Sequence, residues 1–239
     1  MPSWRVVWPC GRLRDHASYA CTPRQARYCV AREDNAVNRT LDTIIHRRSV
    51  RSYKPDPIPA GALDAILRAG CAAPHGVPRE PWRLLVIQQD QIKQRLLDAL
   101  KRGIDRACGG PPKNGYWCMF FADAPVVIAV AFAPTSMGGH SPRTEDSIGI
   151  ASAACAIENM LLAAASLGLG ACWVGPLWEA KEEFEAVLGL RRPWEFLAFV
   201  SVGYTDENPR REQPKGLGDM VQFMDAQPGA PADADKPRC

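Results

Sequence analysis

Four apolar runs predict buried strands, since short continuous apolar segments are typical of strands covered on both faces. They cover residues 82–88, 124–132, 171–174 and 196–203. Other stretches predict helices: one after Asn38 that ends near Arg47, one opened by Pro59, one capped by Asp90 with Ile92, Leu96, Leu97 and Leu100 in register, and one over 178–188. Strands separated by helices indicate a mixed α and β fold.

The longest predicted helix starts near Glu145 and stops at Gly168. Its many Ala, Ser and Gly residues give a smooth surface that can pack closely on another helix, in the same chain or in a partner. The stretches 103–118 and 133–145 predict loops. Four aromatic residues near the first loop fit core packing better than a substrate-lining role: Tyr116, Trp117, Phe120 and Phe121.

Composition is that of an ordinary globular protein, with 46% hydrophobic and 23% charged residues among 239. The apolar runs, such as 124–134, are too short for a membrane span, so no membrane partner is expected. The net charge of +3 arises in residues 1–36, which hold six of the 29 Lys and Arg and three of the 26 Asp and Glu. The rest of the chain is neutral, and no nucleic-acid partner is expected.

The nine cysteines are odd in number and form no Cys-x-x-Cys pair. This pattern argues against a disulfide scaffold and against a zinc site, and it favours a reducing, cytoplasmic compartment. None of the four histidines pairs with another at ligand spacing, so no metal site is expected.

Both ends of the chain differ from its body. Residues 1–36 are rich in arginine without periodicity, which favours a disordered or mis-annotated extension over a targeting segment or a functional basic arm. Residues 226–239, rich in Pro, Ala, Asp and Gly, predict a disordered tail. A single domain is expected over residues 37–225.

Candidate chemistry is concentrated in residues 46–53, where three arginines and two serines follow a helix end. Guanidinium forks and hydroxyls suit a phosphate, although a solvated helix terminus explains the same composition. The chain has no G-x-S-x-G, H-E-x-x-H, P-loop or G-x-G-x-x-G motif. Hydrolytic sites of these kinds and a Rossmann nicotinamide site are therefore not indicated.

Four segments in order resemble the FMN-dependent nitroreductase family. They are RRSVRSY at 47–53, APHGVPREPW at 73–82, EDSIG through GLGACWVG at 145–175, and VGY at 202–204 followed by Arg210, Arg211 and Lys215. The resemblance covers about residues 38–225 and implies an α+β, three-layer α/β/α sandwich. Its central sheet would be mixed and mainly antiparallel. It also implies a homodimer with FMN between subunits.

Site residues follow from that resemblance. Arg47, Arg48, Ser49 and Arg51 would hold the phosphate, ribityl chain and pyrimidine edge of FMN, and Arg211 would return to the phosphate. Pro74, His75 and Gly76 would approach the flavin from the partner subunit, and Trp173, Val174 and Gly175 would lie along the isoalloxazine near N5. No protein side chain is expected to be catalytic, because flavin N5 carries the hydride.

Three residues depart from the family pattern. His75 stands where the family has a small hydroxyl residue, Pro78 replaces an Asn, and Glu80 replaces a Gln. Pro78 removes a backbone donor as well as a side-chain amide. His75 either takes over a polar contact or lies near the substrate.

The implied activity is two-electron transfer from NADH or NADPH to a small electron-poor acceptor, such as a nitroaromatic, a quinone or an enone, by a ping-pong mechanism. Other chemistry of the superfamily stays open, namely reductive dehalogenation, flavin fragmentation and deazaflavin cofactor maturation. A non-catalytic flavin-binding dimer is a further alternative.

Overall fold

The computed structural model describes residues 38–77, 80–113, 115–134, 142–175, 177–209 and 220–222. The helices are α1 (Arg39–His46), α2 (Ala60–Cys71), α3 (Asp90–Cys108), α4 (Pro142–Ser166) and α5 (Lys181–Leu188). The strands are β1 (Trp82–Ile87), β2 (Val126–Phe132), β3 (Gly170–Val174) and β4 (Glu195–Gly203). Short 3₁₀ turns cover Met119–Asp123 and Trp178–Ala180.

The strands form one sheet in the order β1-β2-β4-β3, and every neighbouring pair is antiparallel. A parallel bridge joins Ser49 to Ala171 of β3. All seven residues of β2 are buried, and their side chains alternate between two hydrophobic clusters. One cluster includes residues of α2 and α4, and the other includes residues of α3 and α5. The predicted three-layer α+β sandwich with a mainly antiparallel sheet is confirmed.

A β-bulge interrupts the pairing of β2 with β4. Val130 pairs with Ala198, but the next residue, Ala131, pairs with Phe196, so Leu197 is the extra residue. As a result Leu197 and Ala198 both belong to the α2/α4 cluster, while Phe196 belongs to the α3/α5 cluster.

Helix α3 corrects the predicted loop at 103–118, because it continues to Cys108. Its buried face extends through Gly103 and Ile104, and the helix ends where Gly109 adopts a left-handed conformation with φ 72°. The predicted Asp90 cap is also wrong. Gln89 is the N-cap residue, and Asp90 instead pairs with the Nζ of Lys93 at 2.8 Å.

The long helix α4 begins at Pro142, three residues before the predicted start, and residues 135–141 of the predicted loop lie outside the described residues. By length and composition alone, its segment Asp146–Ser166 is apolar enough to span a membrane, as core helices of globular proteins also are. Five of its residues are fully buried in the α2/α4 cluster: Ala153, Ala156, Ile157, Met160 and Ala164.

Two helical glycines give a paired stability prediction. A Cβ on Gly103 would lie 2.5 Å from both Ala180 Cα and the Glu179 carbonyl oxygen, whereas a Cβ on Gly61 of α2 meets nothing within 4 Å. We expect Gly103→Ala to lower the free energy of unfolding by about 1–3 kcal/mol, as overpacking does. Gly61→Ala should raise it by up to about 1 kcal/mol. Urea denaturation of both variants checks this, and equal effects would contradict it.

Candidate functional site

The arginine-rich segment is fixed between α1 and the first residues of β3. Arg47 is the C-cap of α1, and its N–H donates to the Thr43 carbonyl at 2.8 Å. Val50 N–H donates to the Ala171 carbonyl at 3.1 Å. A Cβ on Gly170 would lie only 2.8 Å from Val50 Cγ1, so the absence of a side chain there permits this close approach.

Tyr53 anchors the end of the same segment. Its hydroxyl donates to the Val50 carbonyl at 2.6 Å and lies 2.7 Å from Ser201 Oγ of β4. Burial raises the pKa of Tyr53 far above its usual range, so its hydroxyl stays protonated at any ordinary pH. The chain between Arg47 and Tyr53 is therefore held at both ends.

A cleft of about 310 Å³ opens beside this segment. It is lined by residues of α1, the C-terminal part of α4, the start of β3 and the segment 205–209. Among them are Arg47, Arg48, Leu161, Gly170, Thr205 and Glu207. Arg47 Nε lies 3.6 Å from Glu158 Oε1. Arg48 turns back, and its Nη1 donates to the carbonyls of Ile45 and Arg47 at 2.9 and 2.8 Å. Arg48 thus stabilises the C-terminus of α1 as well as lining the cleft.

Glu207 is a cleft residue that the sequence did not reveal. Its Oε2 accepts the backbone N–H groups of Arg51 and Ser52, at 2.6 and 2.9 Å. Thr205 Oγ1 donates to the Ser52 carbonyl at 2.7 Å, which fixes the two segments side by side. Since 156 residues separate Arg51 from Glu207, no local pattern could have signalled the contact.

Arg51 lies among aromatic and thiol groups. Its Cζ is 5.8 Å from the ring centroid of Phe120, a cation–π contact. Burial raises the pKa of the Cys118 and Cys172 thiols, and the nearby charge of Arg51 opposes that rise. Cys118 has a left-handed backbone with φ 63°, which is uncommon outside glycine.

Burial should protect Cys172 from thiol reagents. Alkylation needs an exposed thiolate, and Cys172 is buried with a raised pKa, whereas Cys71, Cys108 and Cys155 are exposed. We expect N-ethylmaleimide to modify Cys172 about tenfold or more slowly than those three in the native protein, and equally fast in urea. Peptide mass spectrometry measures each rate. Modification of native Cys172 as fast as Cys155 would contradict the described burial.

The three residues predicted to contact the flavin ring, at the end of β3, differ in how exposed their side chains are. Trp173 is 39% exposed, whereas the side chain of Val174 is buried in the α3/α5 cluster. Gly175 is exposed, and a Cβ there would lie 3.2 Å from Ala198 Cβ. Trp173 therefore offers its side chain to a ligand, and Val174 and Gly175 offer only backbone.

The loop after α2 lies away from the arginine cleft within one chain. Pro74, His75 and Gly76 are exposed, and a Cβ on Gly76 would lie 3.6 Å from Ile148 Cγ2 of α4. Arg47 contacts Glu158, ten residues further along α4, which is about 15 Å along the helix axis. A single chain does not bring this loop into the cleft.

The structure gives less information on the remaining predicted site residues. Arg211, with Arg210 and Lys215, lies outside the described residues, and so does Pro78, while Glu80 is exposed. Among the residues that the structure describes, no three His, Cys, Asp or Glu side chains are grouped as metal ligands would be.

Residues 44–204, about two thirds of the chain, match the model of the Nitroreductase family. The chain belongs to this family. A relative from Methanothermobacter thermautotrophicus, provisionally named NADH dehydrogenase/NAD(P)H nitroreductase, is 29% identical over 171 residues, which are 71% of this chain and 78% of the relative. The predicted family and the prediction of an oxidoreductase are confirmed.

Solved structures share the fold. A Bacteroides fragilis nitroreductase with bound FMN is 28% identical and gives a TM-score of 0.62 over 78% of this chain and 98% of that one. A Vibrio harveyi NADPH:FMN oxidoreductase in complex with NAD⁺ is 20% identical, with a TM-score of 0.64 over 78% of this chain and 77% of that one. The boundaries of the domain at 37–225 stay a prediction, as does the cytoplasmic location.

Proposed function

We propose that this nitroreductase-family protein moves two electrons from NADH or NADPH to an electron-poor acceptor of nitroaromatic, quinone or enone type. Family membership supports the coarser activity, that of an NAD(P)H-dependent flavin oxidoreductase with FMN. The observation that carries the flavin-binding part of the proposal is the cleft where Arg47 and Arg48 meet the start of β3.

The residues of the cleft fit the phosphate end of FMN. A phosphate needs several donors and positive charge. The Arg47 guanidinium of the cleft supplies both, and the Ser49 hydroxyl, two residues further along the chain, would add a donor. The contact between Arg47 and Glu158 is 3.6 Å, beyond hydrogen-bond distance, so the Arg47 fork keeps donors for a phosphate. Arg48 would add charge from just after α1, and Arg211 would complete the set.

The ring end of FMN would lie along β3. We place Arg51 at the pyrimidine edge, where its positive charge favours the negative charge that reduction adds. The backbone of Val174 and Gly175 would face the ring, and the exposed Trp173 would offer an aromatic surface. FMN supplies the hydride chemistry at N5, so these residues bind and orient. The donor would leave before the acceptor enters the same space, which is a ping-pong order.

A homodimer would complete this site. Leu41 and Ile44 of α1 are each about half exposed, and no residue of α1 is buried. A second copy could cover this apolar face and bring its Pro74, His75 and Gly76 to the flavin, which one chain alone does not do. Light scattering coupled to size exclusion should give the mass of a dimer, and a monomeric holoprotein would contradict this assembly.

Anaerobic titration of the holoprotein tests the activity. The purified protein should carry FMN, and NADH or NADPH should bleach its absorbance with one equivalent per flavin. A panel of nitroaromatic, quinone, enone and halogenated acceptors should then restore the colour at different rates. A protein that FMN does not bind would refute the flavin proposal. Bound FMN that neither nicotinamide bleaches would refute the reductase and favour a storage dimer.

A further inference from the structure

We propose that His75 recognises the oxidised flavin ring by accepting a hydrogen bond from its N3–H group. The proposal rests on the proposed function, in which the 74–76 loop of one subunit approaches the FMN of the other. It concerns a residue that departs from the family pattern and has no protein side chain as its polar partner among the hydrogen bonds described for it.

The loop that carries His75 is held in place on both sides. Ala73 is buried in the α2/α4 cluster, and its N–H donates to the Gly70 carbonyl at 3.2 Å. On the other side, the His75 ring packs against Trp82, with centroids 5.6 Å apart and an interplanar angle of 70°. Trp82 is buried at the start of β1, so it gives the imidazole a rigid support.

One hydrogen bond decides what this imidazole can offer a ligand. His75 Nδ1 lies 2.6 Å from the Val77 carbonyl oxygen. A carbonyl only accepts, so Nδ1 must carry the proton in this contact. In the neutral imidazole the other nitrogen, Nε2, is then an acceptor with no proton of its own. His75 is exposed as a residue, and the contact with Val77 is the polar contact described for its ring.

An acceptor at this position selects one group on the flavin ring. The polar atoms of the oxidised isoalloxazine are acceptors except N3–H, which donates. A serine hydroxyl could serve either kind of atom, because it both donates and accepts. Neutral His75 with its proton on Nδ1 matches N3–H alone among the ring atoms. The ribityl hydroxyls are the other donors of FMN, and the experiment separates them from N3–H.

The test is a cycle between a protein variant and a modified flavin. The apoprotein and its His75→Ala variant are titrated with FMN and with N3-methyl-FMN at about pH 8. Flavin fluorescence gives each Kd without turnover. We expect His75→Ala to bind FMN about fivefold more weakly, as for one lost hydrogen bond. Wild type should bind N3-methyl-FMN at least about fivefold more weakly than FMN, and the variant should bind both equally.

Further variants keep the result interpretable. His75→Gln retains an acceptor and should recover part of the affinity, and His16→Ala removes a histidine from another part of the chain as a matched control. Nitrogen-15 spectra of the apoprotein should show His75 protonated at Nδ1 when neutral. An N3-methyl penalty that persists unchanged in His75→Ala would overturn the inference, and so would a neutral form protonated at Nε2. Apoprotein that binds no FMN would instead refute the proposed function.

Discussion

Arg47→Ala is expected to weaken FMN binding by about 10- to 100-fold, which is the usual worth of hydrogen bonds to a charged group. The variant removes the guanidinium that lines the cleft and leaves Glu158 and Glu207 without that positive charge nearby. The remaining carboxylates would then repel the phosphate. Fluorescence titration of the apoprotein with FMN measures the change in Kd.

Two further substitutions separate charge from geometry at Arg47. Arg47→Lys keeps the charge but loses the planar fork, so its affinity should lie between wild type and Arg47→Ala. Arg39→Ala, at the opposite end of α1, is the matched control and should bind FMN as wild type does. A folded Arg47→Ala protein with unchanged affinity for FMN would place the phosphate elsewhere.

Phe199→Ala should lower the free energy of unfolding by about 3–5 kcal/mol, the range measured for large buried aromatic residues. Phe199 is fully buried on β4. Its ring stacks on Phe121 at 4.6 Å and meets Phe196 and Phe184 at 4.7 and 5.0 Å. Alanine would leave a cavity bordered by these three rings, and the rings would fill it only in part.

Urea denaturation at one fixed protein concentration checks the loss, since any dimerisation makes stability depend on concentration. Phe120→Ala is the control. Phe120 is only half-buried, with its ring beside the Arg51 guanidinium, so its loss should cost clearly less. A loss below about 1 kcal/mol for Phe199→Ala would mean that the surrounding rings collapse into the space.

Strand positions followed from the sequence because their burial is nearly continuous. Every residue of β2 is buried, so the apolar run at 124–132 located the strand directly. Helix ends were less predictable. Residues 103–108 looked like part of a glycine-rich loop, yet Gly103 is helical because it packs against the backbone of Ala180. Such a contact depends on a residue far away along the chain, and local composition does not encode it.

In the candidate site, too, some residues could be predicted from the local sequence and others could not. Arg47 and Arg48 could be found from a local cluster of guanidinium groups, and the structure places both on one cleft. Glu158 contacts Arg47, and Glu207 lines the cleft, only through the packing of α4 and of the chain after β4, so the sequence did not indicate them. The hydrogen bond between His75 and Val77 likewise depends on the loop conformation, not on residue type.

The pairing of residues 51–54 with residues 204–207 also determines when the site can form during synthesis. The arginines are made early, but their neighbours on β3 and the carboxylate of Glu207 emerge from the ribosome more than 100 residues later. A nascent chain therefore exposes a basic segment whose backbone N–H groups have no carboxylate until residue 207 is available. We expect flavin capture to follow the synthesis of residue 207, and chains terminated before that residue should be unable to retain FMN.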